Sequence, residues 1–129
     1  VEAANPAELL RAAGAGMLAL LRGEEDNGGG AGTDPPPADR PLRLSAPDPP
    51  RLLADFLREL LFLHEIDGLD FAGAGFDVLA LEERPCRLEA RLALADGRHA
   101  VREIKGVTYH EIEVRRAPAG WSARVIFDV

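Results

Sequence analysis

Cys86-Arg87-Leu88-Glu89-Ala90-Arg91-Leu92-Ala93-Leu94 alternates along its whole length. Cys86, Leu88, Ala90, Leu92 and Leu94 share one parity, and Arg87, Glu89, Arg91 and Ala93 take the other, which is the period of a half-buried strand. The same period of two begins earlier, in Phe76–Glu82. It resumes beyond Asp96-Gly97, a dipeptide suited to tight hairpins, in a return strand over Val101–Arg115 with Gly106 as a bulge or close-packing point. Ala117-Pro118-Ala119-Gly120 then turns into a last strand, Trp121–Val129. In that strand Trp121, Ala123, Val125, Phe127 and Val129 share one face.

Upstream the period is helical. Residues 5–22 predict a first helix, with Asn5 as N-cap, Pro6 at the first helical position and Glu8 at capping-box spacing. Leu9, Leu10, Ala13, Met17, Leu20 and Leu21 form its apolar stripe. Gly14 and Gly16 weaken this helix by up to ~1 kcal/mol each, or permit close approach to a neighbouring sheet. They are not a phosphate loop, because no Gly-Lys-Ser or Gly-Lys-Thr follows them. Residues 49–66 predict a second, stronger helix, capped by Asp48, started by Pro49 and Pro50, and ended by Gly68. Its apolar face is Leu52, Leu53, Phe56, Leu57, Leu60, Leu61 and Leu63. Between the helices, Gly28-Gly29-Gly30 and Pro35-Pro36-Pro37 mark a flexible loop over 23–48, with a short strand possible at Pro41-Leu42-Arg43-Leu44. Helices early and strands late indicate an α+β fold, two main helices on a largely antiparallel sheet. The 129 residues make one domain, 1–129, because neither flank of the loop alone buries a complete core.

Composition narrows the function. Fifteen basic residues against 22 acidic give a net charge of −7. That disfavours a broad phosphate footprint and direct nucleic-acid binding, and suits cations or a basic protein surface. No run approaches the roughly 18 apolar residues of a membrane span, and no secretory leader is evident. The single cysteine, Cys86, fits a reducing compartment and a core position rather than a nucleophile.

Several residues carry possible chemistry. Asp128 stands beside Val129, whose main-chain carboxylate, if terminal, makes a second hard oxygen group and thus half of a divalent-cation site. A solvated strand end is the plainer reading of the same residues. Asp55 and Glu59, four apart, share one side of the second helix and either hold a metal together or pair with Arg51 and Arg58. Tyr109 and His110 point to opposite faces of a strand, with no Ser or Cys placed as nucleophile. His64, His99 and His110 lack zinc-site spacing. The sequence does not read as an enzyme.

With these residues in view, the chain resembles the archease family. Leu53-Ala54-Asp55-Phe56-Leu57-Arg58-Glu59-Leu60-Leu61-Phe62-Leu63, with Asp67-Gly68 and Phe71, is similar to that family's long helix. Ile104-Lys105-Gly106-Val107-Thr108-Tyr109-His110, with Glu113-Val114, is similar to its central strand motif, and Gly120-Trp121 with Arg124-Val125-Ile126-Phe127-Asp128 to its terminus. The likeness covers nearly everything except residues 23–45.

The resemblance implies a small, chaperone-like cytoplasmic protein that activates RNA ligases of the RtcB type. These ligases join 3′-phosphate to 5′-hydroxyl ends in tRNA splicing and RNA repair, and the activator promotes their guanylylation from GTP and their turnover without being a ligase. It also implies a bound divalent cation, calcium foremost, held by an Asp of an N-terminal strand, the penultimate Asp and the final carboxylate. Carried over, the last two are Asp128 and Val129. The family's first strand carries a His-Thr-Ala-Asp-Val-Gly-like motif that does not precede Val1 here, so either the sequence is part of a longer chain or one ligand differs. Gly106 stands where Ala is expected, and Val129 where Ile or Leu is common. Asp55, Glu59, Lys105, Tyr109 and His110 are the candidate contacts for the ligase. Two other readings stay open: a general chaperone-like binder, and a small metal-dependent hydrolase using Asp55 and Glu59.

Overall fold

The structure, a computed structural model, describes residues 2–22, 38–96, 104, 106–107 and 112–128. Both helices form where their caps and apolar stripes place them. Helix α1 spans Pro6–Arg22. Asn5 Oδ1 accepts the Glu8 N–H at 2.9 Å, which satisfies one of the first-turn donors. Helix α2 spans Pro49–Phe62, and Asp48 Oδ1 accepts the Arg51 N–H at 2.9 Å. Seven of its residues, from Leu52 to Leu61, are buried on one face. The helical path expected as far as residue 66 continues, but as a wider π-turn over Leu63–Asp67. Gly68 closes that turn with φ 66°, in the left-handed region, and its N–H donates to the Leu63 carbonyl five residues back.

Under the helices lies a three-stranded antiparallel sheet. Its strands are β2 (Ala38–Ala46), β3 (Leu69–Ala80) and β4 (Cys86–Asp96), in the order β2-β4-β3. Strand β4 sits in the middle because it is apolar on one whole parity: Cys86, Leu88, Ala90, Leu92 and Leu94 are all buried. Facing them in register are Ala46, Leu44 and Leu42 on β2, and Leu79, Phe76, Ala74 and Phe71 on β3. The short strand expected at residues 41–44 is therefore nine residues long, and Ala38–Ala46 does not belong to the flexible loop expected over 23–48. Residues 23–37 of that loop lie outside the described residues. Pro41 is compatible with β2 because this strand, among the described residues, is at the edge of its sheet.

Strand β3 starts at Leu69, well before the expected Phe76. Register shifts between Phe71 and Gly73 and between Phe76 and Val78 move its inward parity twice, so the alternation is broken in the sequence although the ladder continues. The Asp96-Gly97 signal does not fold β4 back on a return strand. Both edges of β4 are already hydrogen-bonded, to β2 and to β3.

The described parts of 101–115 pair elsewhere. Strand β5 (Gly106–Val107) pairs with β8 (Phe127–Asp128), and β6 (Glu113–Ala117) pairs with β7 (Gly120–Arg124) across the expected turn. The last strand is thus interrupted at Val125 and Ile126, where it changes partners. Strand β1 (Glu2–Ala3) adds to the far side of β7. At Gly120, φ is 152°, and a Cβ would collide with the Ala3 carbonyl oxygen, so β1 lies close only because residue 120 is glycine. Ala123 is buried, with Trp121, Val125 and Phe127 packed against the same core.

Helix α1 comes close to both α2 and β3 at Gly14. A Cβ at that position would lie 2.9 Å from Phe71 Cε2 and 3.0 Å from Leu60 Cδ1. Gly14→Ala should therefore destabilise by about 1 kcal/mol, because overpacking outweighs the ~1 kcal/mol gained in helix propensity. Gly16, with nothing within 4 Å of its absent Cβ, should respond oppositely. Gly16→Ala is expected to stabilise by up to ~1 kcal/mol. Paired urea melts of the two variants check the difference in sign.

Candidate functional site

The three stretches that carry the resemblance meet in space. Helix α2 presents Asp55, half-buried, and Glu59, exposed. Between them Arg58 reaches out, and its Nη2 donates to the Val107 carbonyl at 3.0 Å. Val107 lies in β5, and β5 pairs with β8, setting Gly106 opposite Asp128 and Val107 opposite Phe127. One guanidinium thus ties the helix to the strand pair that ends the chain described here. A hydrogen bond from a charged donor is worth about 1.5–3 kcal/mol when shielded, less where water competes.

Of the expected site residues, Asp55, Glu59 and the backbone of Asp128 are brought into this neighbourhood. Lys105, Tyr109, His110 and Val129, and the side chain of Asp128, lie outside what the structure describes. Five residues separate Val107 from Glu113, but only two separate Phe127 from Arg124 on the facing arm.

Asp128 offers a hard carboxylate, which suits calcium or another oxygen-seeking cation. Among the described residues no group of three or more His, Cys, Asp or Glu side chains is placed to hold a metal ion. A complete protein ligand set is therefore not contained within them.

A polar contact not anticipated from the sequence lies at the end of α2. Asp70 is 1% exposed, and its Oδ1 is 2.7 Å from His64 Nδ1. His64 sits in the π-turn and Asp70 at the start of β3, so the contact bridges the Gly68 corner. A His and an Asp on either side of a helix-ending glycine were the available signal. Asp70 lies upstream of Phe76, where the strand was expected to begin, so no strand parity was assigned to it.

Cys86 is buried, with its thiol donating to the Leu81 carbonyl at 3.4 Å. Burial pushes the thiol pKa up, and the neighbouring Arg84 guanidinium offsets this only partly. The raised value means the folded state keeps its proton at pH values where the unfolded thiol ionises, so this group's contribution is intact below the unfolded value and fades as pH rises through the folded one. Native protein at pH 8 should resist iodoacetamide, and alkylation should appear only on unfolding, as mass spectrometry will read.

Among the described residues no helix is long and apolar enough to cross a membrane. The fold and the convergence of helix, strand pair and chain end define a small α+β domain in which one helix and one two-stranded ladder share a face.

Comparison with known proteins gives that class a family. Residues 1–129 match the archease protein family. The protein archease of Methanosarcina mazei is 35% identical over 98 residues, which cover 70% of this chain and 65% of that one. The protein archease of Pyrococcus abyssi is 32% identical over 96 residues, covering 70% and 66%. That of Methanopyrus kandleri is 40% identical over 81 residues, covering 60% and 58%. The chain belongs to the archease family. Its matched part spans a little under two thirds of the length of these relatives.

Proposed function

We propose that this chain is a non-enzymatic activator of an RNA ligase that joins 3′-phosphate to 5′-hydroxyl ends. In this role it promotes GTP-dependent guanylylation and turnover of the ligase during tRNA splicing and RNA repair in the cytoplasm. The observation that carries the reading is the convergence of the three family-like stretches through Arg58, Val107 and the β5–β8 ladder in a chain that belongs to the family. Among the described residues this face carries Asp55 and Glu59 on the helix with Arg58 between them, and the backbone of Asp128 in the ladder beside them, in a protein of net charge −7. Such a surface docks on a basic partner by complementary potential.

In this reading Asp128 and Val129 hold a divalent cation, calcium foremost, and Lys105, Tyr109 and His110 join Asp55 and Glu59 as contacts to the ligase. The bound cation would supply positive charge beside phosphate oxygens at the docking face. What supports a fixed position for Asp128 is its backbone pairing with Gly106 in the β5–β8 ladder.

The test is single-turnover guanylylation of the cognate ligase with GTP and divalent cation, with this protein and with Asp128→Ala. Stimulation by the wild type that falls about tenfold or more in the variant is the expected result, as for loss of a metal ligand or its support. Stimulation that survives the substitution removes Asp128 from the mechanism. Absence of stimulation by the wild type overturns the activator role and favours general chaperone-like binding.

A further inference from the structure

The helix that supplies Glu59 does not stop at the acidic groups. One turn further on it exposes two large apolar side chains, Phe62 at 54% and Ile66 at 65%. These are the exposed large hydrophobics among the described residues. They are four residues apart, so they project from the same side of the path that runs from α2 into the π-turn. The core does not need them. The buried face of α2 is filled by Leu52, Leu53, Phe56, Leu57, Leu60 and Leu61.

Two features set this pair apart from scattered surface apolars. The first is charge. Glu59 and Glu65 flank Phe62 at three residues on either side, both are exposed, and neither has an ion-pair partner among the described residues. The second is rigidity. The π-turn that carries Ile66 is fastened at three points: Gly68 N–H on the Leu63 carbonyl, His64 on Asp70 at 2.7 Å, and Asp67 on Arg40 at 3.0 Å. Apolar side chains held in place before binding lose less entropy when they dock.

We propose that Phe62 and Ile66 seat in an apolar recess on the ligase partner, and that Lys and Arg side chains rimming that recess pair with Glu59 and Glu65. The inference rests on the ligase reading above and names the part of the surface that supplies binding strength. Two copies of this chain meeting at the same patch would bring like charges together, so self-association is disfavoured. A bare nucleic acid offers neither the recess nor the cationic rim.

The experiment measures the affinity of purified ligase for the wild type, for Phe62→Ser/Ile66→Ser and for Glu59→Gln/Glu65→Gln, with thermal melts of each. All four positions are solvent-exposed, so the melting temperatures should be unchanged. The apolar double variant is expected to bind at least about tenfold more weakly, as for removal of an aromatic anchor. The charge variant is expected to associate about threefold more slowly, with a shallower salt dependence. Wild-type binding matched by the apolar double variant overturns the inference and leaves the ligase reading standing. No complex with the wild type overturns both. A concentration-dependent dimer of the free protein, abolished by the same double variant, assigns the patch to a second copy and also overturns the inference. Should the apolar double variant melt early, Phe62→Gln alone carries the same comparison.

Discussion

Phe56→Ala is expected to cost about 3–5 kcal/mol of folding stability, measured as a shift in urea midpoint at unchanged slope. Phe56 is fully buried, and it is where the helical layer meets the sheet. Its ring meets Phe71 edge-on at 6.2 Å and 85°, and lies 6.2 Å from Phe76 at 47°. Edge-to-face pairs add about 0.5–1.5 kcal/mol beyond the area they bury. Truncation removes the ring and both pairings. The cavity falls between α2 and β3, and β3 is already fixed on its other side by β4, so collapse around the void is limited. For a domain of this size the stability to be lost is itself of order 5–15 kcal/mol. Leu57→Ala, beside it and equally buried, is expected to cost about 2–5 kcal/mol. A loss below about 1 kcal/mol at Phe56 would mean that the layers do not meet there.

His64→Ala is the second large effect, at about 2–3 kcal/mol, because it removes the imidazole facing a buried carboxylate. Asp70 is 1% exposed, whereas His64 is 15% exposed on its side chain. The penalty therefore arises on the aspartate side, where water cannot replace the lost contact. The cost should appear both in denaturant melts and locally. Amide exchange should rise in Leu63–Asp67 before it rises in α2, because the π-turn loses one of its fastenings while the helix keeps its buried face. The double variant His64→Ala/Asp70→Ala should be less destabilised than the sum of the singles, as expected for residues in contact. Strict additivity would show that the 2.7 Å contact contributes nothing to stability.

The parts of this fold that were legible in the sequence are those where one local rule acts alone. Asn5 and Asp48 announced the helix starts, Gly68 the end of the second, and the unbroken alternation of Cys86–Leu94 the middle strand. Gly14 was readable as a packing glycine, and the turn at Pro118-Ala119 as a hairpin. What could not be read depends on partners. The first half of β3 hides its parity behind two bulges, and nothing in Asp96-Gly97 reveals that both edges of β4 are taken. The break at Val125 and Ile126 comes from a change of neighbour rather than from any residue of low strand propensity. Of the candidate site, the shared helix of Asp55 and Glu59 was legible from the sequence. The Arg58–Val107 tie and the His64–Asp70 contact join segments that carry no shared pattern along the chain.

The placement of β4 between β2 and β3 has a consequence for the order in which the molecule assembles. Strand β3 meets β4 through a short connection, with Ala80 opposite Arg87, so that ladder closes locally. Strand β2 meets the opposite edge of β4 only across a long stretch of chain, from Ala46 to Cys86 at its nearest and from Ala38 to Leu94 at its farthest. Loop-closure entropy is overcome before such distant pairings yield anything, which slows folding. The β3–β4 ladder is thus expected to close before the β2–β4 ladder. Until β2 docks, the waiting edge of β4 is a bare row of amide and carbonyl groups, and a nascent chain would be most vulnerable to strand-borrowing by a neighbour during that interval.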